Sequence, residues 1–171
     1  MEPARLSALL ARTPGLAARH LLDSVGGAGQ ALPPDLLPRL LESLLPPRTR
    51  AWLECPNNAQ IDSDLRWLAA NDCRILSCVD ADFPAALMQL APAPPTLYVA
   101  GDPRLLRGPQ LAVVGSRRAS VWGIDTAYRF AAELARAGLA ITSGLAEGID
   151  TAAHEGALAA GGPTIGVCGP D

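Results

Sequence analysis

Between residues 110 and 167 the chain follows one rhythm that admits few folds: a short apolar run, a glycine-containing loop, a helical stretch, then another apolar run. Gln110-Leu111-Ala112-Val113-Val114 reads as a buried strand entering Gly115. Residues 121–137 read as a helix with Ile124, Ala127, Phe130, Ala131 and Leu134 on its apolar face. Asp125, Arg129, Glu133 and Arg136 fall on the polar face, with opposite charges three and four apart, and Gly138 supplies a stop. Residues 139–142 form the next strand, 143–150 a loop, 151–160 a helix closed by Gly161-Gly162, and 164–167 a further strand. Strands alternating with helices over short links require parallel pairing through helical crossovers, so the fold class is α/β. A doubly wound sheet normally continues past such a strand, so the sheet is expected to be truncated at Gly169-Pro170-Asp171.

The region before this sheet has a different texture. Leu6, Leu9 and Leu10 recur at helical spacing, Thr13-Pro14-Gly15-Leu16 makes a turn, and a second helix over residues 17–22 stops near Gly26-Gly27. A third helix is expected over residues 36–45, ended by Pro46-Pro47. Helix, Pro-Gly-Leu turn, helix suits a helix-hairpin-helix or SAM-like module, and equally a small helical packing domain. The stretch around residues 56–64 is polar, and residues 65–70 are amphipathic. A boundary near residue 60 separates a helical domain, 1–60, from an α/β domain, 61–171. Within the latter, residues 74–79 and 96–100 read as strands and 83–90 as a short helix.

Apolar residues make up 49% of the chain and charged residues 18%, which places it among globular proteins rather than disordered tails. The net charge of −3 argues against a protein that coats nucleic acid indiscriminately, while leaving room for a local cationic pocket. All 14 basic residues are arginine, so any cationic contact has the planar, bidentate geometry that suits phosphate. Cys55, Cys73, Cys78 and Cys168 form no metal-ligand pattern and are expected to be reduced, small core residues. No metal or cofactor is expected. The N-terminus lacks the layout of a secretion signal and no apolar window is long enough to span a membrane, so a cytoplasmic location is expected.

Ligands of open α/β sheets gather beyond the carboxyl ends of the strands. Three loops take that place here, at 115–120, at 143–150 and from 169 onward. In the first, Gly115 permits a tight turn, Ser116 and the following helix N-terminus offer donors to an anion, and Arg117 adds a charge-assisted phosphate contact. Ser120 and Arg118 also suit an N-cap and a solvated surface charge. The spacing is neither GxGxxG nor GxxxxGK[ST], which disfavours a standard dinucleotide or ATP site. In the second loop Ser143, Gly144 and Gly148 bring backbone close to a ligand. Asp150 can cap the helix that follows, and His154 lies one turn further on. An enzyme would pair Asp150 with His154, but no nucleophile, metal cluster or second carboxylate accompanies them. No catalytic residue is therefore assigned, and Gly123, Asp150 and His154 are taken as structural.

Val114-Gly115-Ser116-Arg117-Arg118-Ala119-Ser120, with Gly123 and Ala127, resembles the VGSRxxSxxGxxxA opening of the DNA-processing protein A (DprA/Smf) family. Residues 143–154 match that family's SGLAxGIDxxAH, and Asp82-Phe83-Pro84 and Pro94-Pro95-x-Leu97-Tyr98 are similar to its YPxxL and PPxLY segments. The resemblance covers residues 65–171 closely and the helical part loosely. It implies a SAM-like domain followed by a Rossmann-like domain, and single-stranded DNA held through its backbone without sequence choice. Gly115, Ser116, Arg117, Ser120, Ser143, Gly144 and Gly148 are the residues implied for that contact. It further implies delivery of the strand to a RecA-type recombinase during natural transformation, and a homodimer. Pro163 stands where many relatives carry Lys, which removes one cation. The competing class is a nucleotide-processing enzyme of phosphoribohydrolase type, whose PGGxGTxxE motif no segment supplies.

Overall fold

The computed structural model describes residues 2–29 and 31–169. The chain divides into two compact units, Met1–Pro103 and Arg104–Asp171. Residue 60, where composition suggested a boundary, lies within a helix of the first unit.

That unit is built from five helices: α1 (Pro3–Arg12), α2 (Ala18–Val25), α3 (Leu36–Glu42), α4 (Pro47–Glu54) and α5 (Asn58–Ala70). They enclose the almost fully buried Leu6, Leu10, Leu21, Leu36, Leu40, Leu53 and Ile61. Gly26, in the left-handed region at φ +81°, ends α2 as the Gly26-Gly27 pair implies. Two helical stretches escape the sequence reading. Pro47, taken as a stop, opens α4, because the first position of a helix has no amide to lose. The polar residues 58–64, which surround the expected boundary, are the first half of α5. There Asn57 caps the Gln60 N–H at 3.1 Å, and Ile61, Asp64 and Leu68 face inward. Asp64 is buried because Arg12 of α1 grips both its oxygens at 2.7 Å. The guanidinium holds the Asp64 carboxyl below the usual carboxylate range.

Strands β1 (Cys73–Ser77) and β2 (Thr96–Ala100) belong to the same unit and pair antiparallel, Cys73 opposite Ala100 and Ser77 opposite Thr96. The helix expected over residues 83–90 is a 3₁₀ turn at Ala85–Gln89. Of the cysteines only Cys78 is buried. Cys73 is half-buried, and Cys55 and Cys168 are exposed, so the expectation of four core thiols fails. Apolar burial removes the solvation of a thiolate and pushes Cys78 up to about 11. At pH 8 only about one Cys78 in a thousand is then ionised. A thiol-specific reagent is expected to modify Cys55 and Cys168 quickly and Cys78 only after denaturant is added. Rapid modification of Cys78 in the native protein would show its pocket to be open.

The second unit contains β3 (Gln110–Ala112), α6 (Val121–Arg136), β4 (Ala140–Ser143), α7 (Ile149–Ala159) and β5 (Thr164–Gly166). The sheet is parallel in the order β3-β4-β5, Leu111 opposite Ile141 and Ile141 opposite Thr164. This is the Rossmann-like α/β arrangement anticipated from the strand–helix rhythm, with a small helical region before it. Its core is made of small side chains: Ala131 and Ala135 of α6 against Ala153 and Ala157 of α7, over Ile141. Gly156 of α7 lies directly against the Tyr128 carbonyl of α6. The alanine stripe, rather than the larger apolar residues, is what α6 buries. Ile124 and Phe130, assigned inward from periodicity, are 41% and 57% exposed. The opposite charges on the polar face do meet, Arg129 with Asp125 at 3.7 Å and Arg136 with Glu133. Among the described residues no helix is long and apolar enough to cross a membrane.

Candidate nucleic-acid interface

Parallel pairing puts the carboxyl ends of β3, β4 and β5 on one edge, so the loops that follow them are neighbours. Val113 continues the β3 ladder with an N–H bond to the Thr142 carbonyl at 3.0 Å, and Ser143 sends its hydroxyl back to the Val113 carbonyl at 2.6 Å. Val167 N–H closes on the Ser143 carbonyl at 2.8 Å. Ser143 is buried, so its hydroxyl joins two strand ends and does not face solvent.

The first two loops pack main chain on main chain. Ile149 N–H donates to the Ser116 carbonyl at 3.3 Å. Gly148, at φ +85° and ψ −120°, precedes α7 in a conformation that side chains exclude. A Cβ there would lie 2.3 Å from the Ser116 carbonyl oxygen and 2.8 Å from that of Arg117. Gly115 has the Ile149 side chain where its own Cβ would be, at 2.6 Å. Gly144 donates its N–H to Asp150 Oδ2 at 3.2 Å. Asp150 is therefore not the cap of α7. It is the second residue of that helix, and its carboxylate reaches back to brace the turn after β4.

Around this braced floor the exposed groups of the first loop divide into engaged and free. Ser116 Oγ accepts the Arg118 N–H at 3.0 Å, and Ser120 Oγ caps α6 through the Gly123 N–H at 3.1 Å. The guanidinium groups of Arg117 and Arg118 are exposed and have no carboxylate partner among the described residues. The first-turn N–H groups of Val121 and Trp122 likewise have no acceptor there, and they sit at the positive end of a 16-residue helix. Against these cations stand exposed Glu147 and the braced Asp150. Arg118, which the sequence suits to a solvated surface charge, is exposed and as unpaired as Arg117. The third loop is described only as far as Gly169; Pro170 and Asp171 lie outside the described residues.

His154 is brought to a different place. Its Nδ1 lies 2.7 Å from Thr164 Oγ1, whose hydroxyl donates to the Ile141 carbonyl, so His154 is the donor in that bond. Its Nε2 is buried without a partner. Asp150 and His154 thus make separate contacts, and they form no orienter–base pair. Among the described residues no three His, Cys, Asp or Glu side chains gather closely enough to hold a metal.

A parallel Rossmann-like sheet whose strand-end loops carry two uncommitted guanidinium groups beside a helix N-terminus defines an α/β protein equipped to meet an anion. The chain belongs to the DNA recombination-mediator protein A family, whose sequence profile matches residues 74–171. It is 39% identical over 109 residues to Protein Smf of Escherichia coli K12, covering 64% of this chain and 29% of that protein. With the DNA processing protein DprA of Streptococcus pneumoniae R6 it shares 44% identity over 93 residues, 54% of this chain and 33% of the relative. The crystal structure of DNA processing protein A from Streptococcus pneumoniae superposes with a TM-score of 0.69 at 27% identity, over 98% of this chain and 58% of that one. The matches thus span about a third or less of the two relatives' sequences.

Proposed function

We propose that this chain supplies the single-strand-binding pocket of a nonenzymatic, cytoplasmic DNA-processing protein. In this reading it protects incoming single-stranded DNA and passes it to a RecA-type recombinase during natural transformation, as part of a homodimer. The observation that supports it is the pair of unpaired guanidinium groups at Arg117 and Arg118, on a loop held by backbone packing. The arginines of α6 itself are matched to carboxylates, so along this loop and helix the unpaired positive charge lies at the strand end. A rigid, glycine-floored loop presents those cations at little entropic cost, and a polyanionic backbone is a ligand that needs no base readout. The membership of the family and the relatives' names favour DNA as that polyanion.

Arg117→Ala is expected to weaken binding of a single-stranded oligonucleotide by about 1–3 kcal/mol, roughly 5- to 150-fold. It should also flatten the logarithmic salt dependence by about 0.7 for the lost phosphate contact. Fluorescence anisotropy across a salt titration measures both quantities. Wild-type affinity with an unchanged salt slope would remove Arg117 from the interface. Release of base from a nucleoside monophosphate by the wild type would instead favour the phosphoribohydrolase class.

A further inference from the structure

We infer that Trp122 is the platform on which a base of the bound strand stacks, an inference that rests on the single-strand reading above. Trp122 is the second residue of α6 and is 78% exposed. It lies off the buried stripe of Ala127, Ala131 and Ala135, and its neighbour Val121 is 87% exposed. An indole left this open in water forgoes the burial that makes aromatic rings valuable, so its place calls for a ligand. It stands five positions after Arg117, a path of at most ~18 Å of chain, and the cap at Ser120 starts the helix within that path. The ring therefore stands within a few nucleotides of the unpaired cations.

The identity of the occupant follows from charge. A shallow groove of about 520 Å³ continues along α6 from Trp122 past Phe130. At that far end Arg129 faces Asp125 and Arg136 faces Glu133, so the groove offers no free charge. On the helix and the loop that leads into it, the arginines without a carboxylate partner among the described residues are Arg117 and Arg118, at the Trp122 end. A ligand that satisfies both features there carries flat apolar rings on an anionic chain, which describes a single-stranded nucleic acid. Such stacking tolerates any base, in keeping with binding that lacks sequence choice.

The test uses the 171-residue chain and two strands of equal length, oligothymidylate and an abasic sugar–phosphate polymer. The wild type is expected to bind oligothymidylate about tenfold more tightly than the abasic strand. Trp122→Ala should erase that difference by weakening oligothymidylate alone, leaving the abasic affinity and the salt slope unchanged, and Trp122→Phe should restore most of it. Arg117→Ala should weaken both strands together. If Trp122→Ala binds oligothymidylate like the wild type while Arg117→Ala does not, stacking is wrong and the phosphate pocket survives. If the wild type binds neither strand, both readings fall. If Trp122→Ala instead abolishes concentration-dependent self-association and spares strand binding, the ring serves a protein contact and the inference is overturned.

Discussion

Gly156→Ala is expected to lower the stability of the α/β unit by about 2–3 kcal/mol, although alanine is the better helix former. In an exposed helix interior the same change would gain about 1 kcal/mol. Here the new methyl would arrive 2.1 Å from the Tyr128 carbonyl oxygen and 2.9 Å from its carbon, both backbone atoms that no rotamer change can move. The helices must separate by about an ångström, and the alanine contacts beyond them open together: Ala131 and Ala135 against Ala153 and Ala157. With side chains this small, no flexible group can fill the gap. The steric cost therefore exceeds the propensity gain. Urea unfolding should show a lower midpoint with little change in slope, while Glu155→Ala, on the exposed side of α7, should stay within about 0.5 kcal/mol of the wild type. A rise in the midpoint for Gly156→Ala would show that α6 and α7 do not pack this closely.

The same contact explains what was legible in the sequence and what was not. Strand, glycine, helix is a local code, and β3 through β5 emerge within a residue or two of where the apolar runs place them. Which apolar residues α6 buries is not local: it depends on how near α7 comes, and Gly156 brings it near enough for alanines to fill the interface. Ile124 and Phe130 fit the helical period and are left outside. In the helical unit the misreadings came from residues with two uses. Pro47 ends one pattern and begins α4, Asn57 is a polar residue near a boundary until its cap on Gln60 is seen, and Asp64 likewise until Arg12 supplies the partner that buries a carboxylate. The loops follow the parallel strand ends as the apolar runs imply, and their glycines have a use within the protein that the sequence does not reveal. Gly115 and Gly148 also make room for protein: one receives Ile149 and the other the Ser116 carbonyl. No spacing rule distinguishes these uses, because the group that fills the space comes from another loop.

That distinction yields a prediction in which stability and binding fall together. Gly148→Ala is expected to cost about 2–5 kcal/mol, combining the strain of a conformation closed to side chains with the collision of its methyl and the Ser116 carbonyl 2.3 Å away. The loop carrying Arg117 must retreat to relieve the collision, and Ile149 N–H then loses its acceptor. At a temperature where the variant remains folded by circular dichroism, its affinity for oligothymidylate should drop at least as far as that of Arg117→Ala, with Arg117 still present. Gly138→Ala is the matched control. Gly138 also has a positive φ, +91°, but nothing lies within 4 Å of its missing Cβ, so only backbone strain of about 1 kcal/mol is added and binding should persist. If both glycine variants bind alike, the pocket does not depend on the packing of the two loops. If only Gly148→Ala loses the strand, the position of Arg117 is set by a glycine 31 residues away in the sequence, and the cationic site is a property of the sheet edge as a whole.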